Sequence, residues 1–170
     1  MTQRITTALA GAICTVALIF TIACSQAKDS NKFAANAAQG GLAEVEMGRL
    51  AAERATDPSV KEFGQRMTAD HSRAAAELKT IAQRKGINLP ADVDNSQKSE
   101  LNKLGKLSGP DFDKEYMETM VKDHEADVKE FETQASQGND PDIKAFANKT
   151  LPVLKQHLEM ARAAAKKVGA

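Results

Sequence analysis

An all-α fold is what this sequence predicts, and three observations predict it. Alanine is abundant, β-branched runs of the strand type are absent, and apolar residues recur three and four apart over long stretches. Four long helices can be placed on that pattern. The first runs from about Phe33 to Ala55. The second opens at "TDPSVKEF", where Asp57 or Thr56 can cap and Pro58 suits the first turn. Its stripe carries Val60, Phe63, Met67, His71, Ala74, Leu78 and Ile81, and it stops before Gly86. The third opens at "SGPDFDKEY", carries Phe112, Tyr116, Met120, His124, Val128 and Phe131, and stops near Gly138. The fourth opens at "NDPDIKAF" and carries Ile143, Phe146, Leu151, Leu154, His157, Leu158 and Ala161. Pro152 should kink it or weaken its hydrogen bonding locally.

The links between the first two helices and between the last two are short, so each pair should be an antiparallel hairpin. Gly86 to Pro110 is a long connection, ending in a short helical piece from Lys98 to Leu107. Two hairpins joined by such a crossover suit a ferritin-like four-helix bundle better than a simple up-and-down one. "DPSVKEF" (57–63) and "DPDIKAF" (140–146) echo each other at the start of the second helix of each hairpin. The echo reads as a pseudo-twofold pair of hairpins, although capping chemistry alone gives the same Asp-Pro starts.

The N-terminus reads as targeting rather than fold. Met1 to Arg4 is positively charged, Ile5 to Ala23 is an almost uncharged apolar run, and Cys24 follows directly. Residues 1–23 are expected to be a signal peptide, 24–32 a lipidated Cys and polar tether, and 33–170 the helical domain. Thr21 to Cys24 resembles the lipobox of bacterial lipoproteins, with Thr21 departing from the usual Leu. That resemblance implies acylation of Cys24 and anchoring in a membrane. Ser25 after the Cys resembles the signal for outer-membrane sorting, with the domain in the periplasm. The run is also about long enough to span a bilayer, so an uncleaved N-terminal anchor, or a secreted soluble periplasmic form, is the alternative.

Cys14 lies in the apolar run and Cys24 would carry lipid, so the mature domain keeps no thiol for a disulfide or a soft metal site. Metal chemistry would have to use His, carboxylate or Met. Twenty-three basic and 23 acidic residues balance, with one Tyr and no Trp. Neither a basic stripe nor stacking aromatics are available for nucleic acid.

His71, His124 and His157, the chain's three histidines, each fall on the apolar stripe of a different helix. On the first helix, Phe33, Ala37, Gly41, Glu44, Gly48 and Ala51 make a line of mostly small residues interrupted by one carboxylate. Glu46 shares a polar face instead, so Glu44 is the inward candidate. Counted from the hairpin turns at about 1.5 Å per residue, Glu44 and His71 lie level, whereas His124 and His157 differ by about one turn. One polar group per helix therefore arrives near a single layer. Buried unpaired His or Glu costs a few kcal/mol, so the layer needs partners. A metal ion held by Glu44, His71, His124 and His157 is one solution; a metal-free hydrogen-bonded core that sets helix register is the other.

Met67 and Met120 sit four before a His, Met160 sits three after one, and Met47 sits three after Glu44, which puts each thioether on its neighbour's face. They are either gap fillers or soft ligands. His with thioether points to copper, while His with carboxylate points to iron or zinc. Asp70 and Asp123 precede their own His and point some 100° away on the helix. They are either solvated or accept a hydrogen bond from a His on an adjacent helix.

The segments "GLAEVEMGRLA", "RMTADH", "FDKEYMETMVKDH" and "LPVLKQHL", in that order behind a secretory start, resemble the ferritin-like outer-membrane protein family catalogued as domain of unknown function 4142. The likeness covers Phe33 to about Val168. It implies a ferritin-like fold, places Glu44, His71, His124 and His157 at the family's characteristic polar positions, and implies no particular activity. Di-iron ferritins use Glu-x-x-His on two helices, yet here Thr68, Val121 and Leu154 stand three before the histidines. An oxygen-activating di-iron centre is disfavoured, which leans against an enzyme. No nucleophile–base arrangement and no phosphate loop are visible. The sequence thus predicts a lipid-anchored envelope protein that binds one transition metal for sequestration, sensing or stress protection, or else a metal-free interaction module.

Overall fold

A computed structural model describes residues 13–170, with side-chain surroundings from residue 29 onward. The charged start Met1–Arg4, the beginning of the apolar run and the side chain of Cys24 lie outside the described residues. Five helices and no strand occur among the described residues: α1 (Ile13–Arg54), α2 (Pro58–Lys85), α3 (Asn95–Leu104), α4 (Gly109–Gln137) and α5 (Pro141–Val168). Helix α1 begins twenty residues before the expected start at Phe33. Residues 13–32 contain neither Pro nor Gly, and nothing in their backbone chemistry stops a helix. None of the described helices is long and apolar enough to cross a membrane.

Local chemistry sets the remaining ends. Asp57 caps α2 by accepting from the Ser59 amide at 2.7 Å, and Asp140 caps α5 by accepting from Asp142 and Ile143 at 3.0 and 3.1 Å. Pro58 and Pro141 occupy the first turns, so the repeated Asp-Pro motif does the same job in both places. Gly86 ends α2 with φ +66°, a left-handed conformation that glycine adopts without steric cost. Helix α3 starts at Asn95 rather than Lys98 because Asp94 and Gln97 form a reciprocal capping box. Helix α5 runs unbroken past Pro152, which sits on its exposed face.

Helix α1 packs along α2, and α4 along α5, as two hairpins. The hairpins meet through α2 with α5 and α1 with α4, while α3 lies across α1 and α4. The apolar interior is in two parts. One holds Met47, Ala51, Val60, Phe63, Met67, Phe112, Tyr116, Met120 and Ala161. The other holds Phe33, Ala38, Leu78, Ile81, Phe131, Ile143, Phe146 and Leu154. Along every long helix the polar residue Glu44, His71, His124 or His157 falls between the two sets. The apolar pattern of each helix therefore builds two hydrophobic halves with one polar layer between them.

Asp113, at the start of α4, is buried and locks the α1–α2 turn. Its carboxylate accepts from the amides of Thr56 and Asp57 at 3.0 and 2.7 Å and from the Thr56 hydroxyl. A buried carboxylate holding three donors ties the two hairpins at one end of the molecule.

Candidate metal centre

The polar layer depends on how closely α1 and α2 approach. A Cβ on Gly48 would lie 2.8 Å from the Gly64 carbonyl oxygen, and one on Gly64 would lie 2.7 Å from the Ala51 Cβ. The two backbones meet directly there, one turn beyond Glu44 and two turns before His71. The small residues bring a carboxylate on one helix within reach of an imidazole on the next.

His71 Nδ1 lies 2.8 Å from Glu44 Oε2. His157 Nε2 lies 3.0 Å from Asp70 Oδ2. His124 Nδ1 lies 2.9 Å from the Met120 carbonyl oxygen and 3.7 Å from Glu44 Oε1. A carbonyl only accepts, so His124 carries its proton on Nδ1. Ionised Glu44 likewise draws the proton of His71 to Nδ1, and the Asp70 carboxylate draws that of His157 to Nε2. The other nitrogen of each ring, Nε2 of His71, Nε2 of His124 and Nδ1 of His157, is buried and has no hydrogen-bond partner. Ring centroids lie 5.8, 5.4 and 5.5 Å apart, close to an equilateral triangle. One nitrogen from each ring can be taken so that all three lie within 4.8 Å of one another. Phe63 closes one side, its ring edge-to-face with His124 and His157 at 6.3 and 6.2 Å.

Burial pulls the His71 and His124 imidazoles down to about 4, Glu44 raising His124 only in part. Burial also lowers His157, against its bond to Asp70. All three rings are thus neutral at pH 7, and their contacts with Glu44 and Asp70 are hydrogen bonds rather than ion pairs. Burial raises Glu44 to about 7, partly opposed by His124. Neutral imidazoles with one nitrogen tied to a fixed acceptor and the other bare are the state in which histidine ligates a metal. Without a ligand, each bare buried nitrogen costs about 1–3 kcal/mol. Three histidines fit an ion of the imidazole-binding class, zinc, copper, iron or nickel.

A family model matches residues 21–164 under the description "Domain of unknown function (DUF4142)". The chain belongs to that family. No curated protein matches this DUF4142 chain. Two solved structures share its fold. A DUF305 fragment from Deinococcus radiodurans is 10% identical with a TM-score of 0.72, over 82% of this chain and 96% of that one. A DUF305 protein from Streptomyces coelicolor is 15% identical with a TM-score of 0.72, over 84% and 93%. At such identities the likeness concerns the fold alone.

Within this DUF4142 domain the four expected polar residues converge, in unequal roles. The histidines form the triangle, while Glu44 stands behind His71 as its hydrogen-bond acceptor rather than as a fourth member. Asp70 takes the cross-helix role with His157. Asp123 does neither; it faces a cleft on the α1–α4 side with Glu100, and burial lifts its carboxyl to about 6. Met67 and Met120 are buried in the apolar half with Phe63, and Met160 packs against that half from a less buried place. The offset expected between His124 and His157 is absent. His124 lies 13 residues before the end of α4 at Gln137, and His157 lies 16 after the start of α5 at Pro141. Side chains lean toward the N-terminus of their own helix, away from the turn on α4 and toward it on α5, which closes the gap. Three contributors were not foreseen: Phe63 as a wall, Asp113 as a lock, and Asp127, whose carboxyl neighbours Glu44. Asp127 sits three residues after His124, a spacing that places both on one face.

Proposed function

We propose that this chain binds a single transition-metal ion through His71, His124 and His157, with Glu44, Asp70 and the Met120 carbonyl orienting the rings, and that it stores, buffers or senses that ion in the cell envelope. The observation that carries this reading is the trio of bare, buried imidazole nitrogens, each on a ring whose other nitrogen is held. A hydrogen-bonded core without metal would be expected to use those nitrogens too. The absence of cysteine from the domain favours zinc or copper held by nitrogen over a thiolate site, and the lack of Glu-x-x-His pairs speaks for binding rather than oxygen activation. The hairpins and their crossover support a ferritin-like bundle as the scaffold. The apolar run ending at Ala23 and Cys24 supports a lipid anchor at that Cys, in an outer-membrane setting, with the bundle in the periplasm.

The test is metal content. Untagged protein, purified and then exposed to Zn2+, Cu2+ and Fe2+, should retain one transition-metal ion per chain by mass spectrometry of the elements. His124→Ala and His157→Ala should each release it while remaining helical. Protein that stays empty after exposure to all three ions, with variants that are merely less stable, ends the metal reading and leaves the register-setting core in its place.

A further inference from the structure

Beside Glu44, α1, α3 and α4 enclose an open cleft of about 480 Å³ that His71 does not line. Its wall is acidic. Glu44 comes from α1, Glu100 from α3, and Asp123 and Asp127 from α4, one turn apart and so on one face. Gly40, Ala43 and Ala126 are small and leave the carboxylates room. Two lysines reach the cleft, but Lys103 is drawn to Glu115 at 2.5 Å. Lys122 offsets Asp123 only in part.

Glu44 is the second, independent observation. Its side chain is 4% exposed, its Oε2 is taken by His71, and its Oε1 is buried without a hydrogen-bond donor. The Asp127 carboxyl neighbours that of Glu44 in the same wall. Oxygen atoms that repel one another in a partly dry place attract a small, hard cation.

We propose that this cleft binds a hard divalent cation, of the Ca2+, Mg2+ or Mn2+ class, through Glu44 Oε1, Asp123 and Asp127, with Glu100 at its rim. Every donor is oxygen, which sets the site apart from the three nitrogens of the histidine triangle. The volume accommodates an ion together with several waters, the state in which such ions bind to few carboxylates. Glu44 then serves both places with different oxygens, holding His71 on one side and the cation on the other. The site does not depend on metal at the histidines.

Mn2+ is the probe, because its paramagnetism reports binding directly. Electron paramagnetic resonance titration of the full, untagged chain should show one bound Mn2+ that Ca2+ displaces. Asp123→Asn and Glu100→Gln should each weaken it by about tenfold or more, while His157→Ala should leave it in place. Absence of Mn2+ and Ca2+ binding at millimolar concentration in protein that is folded by circular dichroism overturns the proposal. So does Mn2+ that is lost in His157→Ala yet unchanged in both carboxylate variants, since the ion would then sit among the imidazoles. Should Asp123→Asn fail to fold, Glu100→Gln decides alone, because that side chain stands at the rim and supports no core contact. Zinc retention measured on the same samples keeps this outcome separate from that of the histidine site.

Discussion

Asp70 looks like a surface residue, flanked by Arg66 and Arg73, which it contacts at 3.4 and 3.0 Å. Its Oδ2 nevertheless holds the His157 ring from the neighbouring helix. The carboxylate fixes both the tautomer and the angle at which Nδ1 is presented, so its loss should act through His157. Asp70→Ala is expected to lower transition-metal affinity by about 10- to 100-fold, with only about 1 kcal/mol lost from stability. Competition against a chelator of known affinity, beside a denaturant titration, measures both. An affinity loss no larger than the stability loss would show that Asp70 merely supports the fold. At this scale the histidines and Glu44 were legible, because a polar residue on an apolar stripe conflicts with its surroundings. The partner of His157 was not, because choosing between solvent and the adjacent ring requires the rotation of α2 against α5. Asp127 was within reach of the sequence by its i,i+3 relation to His124, the same relation that pairs Met160 with His157.

The helices themselves followed from the sequence where caps and breakers spoke plainly, as at Asp57-Pro58, Gly86 and Asp140-Pro141. The start of α3 was missed by three residues because its signal is polar, the Asp94–Gln97 box, and lies outside any apolar period. Nor did the sequence show that Gly48 and Gly64 face each other, since a glycine in a helix reads only as a weakness. The structure makes them the contact at which α1 and α2 touch. Gly64→Ala should therefore destabilise the protein by about 1–3 kcal/mol, against the gain of about 1 kcal/mol that alanine gives in an ordinary helix interior. Its displacement of α2 from α1 should also lengthen the His71–Glu44 bond. Thermal melts of Gly64→Ala beside Gly40→Ala, where an added Cβ meets nothing within 4 Å, separate crowding from propensity. Equal effects in the two variants would contradict the close-contact account.

At the scale of the whole molecule, two apolar halves are joined across a polar layer and tied at their ends. One end is held by Asp113. At the other, Lys85 bridges Asp140 and Asp142 at 2.8 Å each, fastening the last turn of α2 to the first turn of α5. Burial pushes the Asp140 carboxyl up, but the bond from Lys85 and the amides of Ile143 and Asp142 outweigh it and leave the group below its ordinary value. A depressed carboxyl binds fewer protons folded than unfolded, so its contribution is full above the ordinary carboxylate value and fades as pH falls through the folded one. The urea midpoint should fall below about pH 4, and the fall should be shallower in Lys85→Met. Asp140→Ala, which removes the cap as well, should cost about 1 kcal/mol at neutral pH. An acid limb identical in wild type and Lys85→Met would remove this tie from the account. The two-hairpin architecture was readable from loop lengths alone. The long-range ties were not, because they join residues far apart in sequence through side chains that each look solvated.

The chain contains three histidines, and all three form the triangle. A sample labelled with nitrogen-15 only in the histidine rings therefore yields a magnetic resonance spectrum of that one place in the protein, with no background from its other residues. Six ring-nitrogen signals would report occupancy, protonation and ring orientation together in a purified preparation.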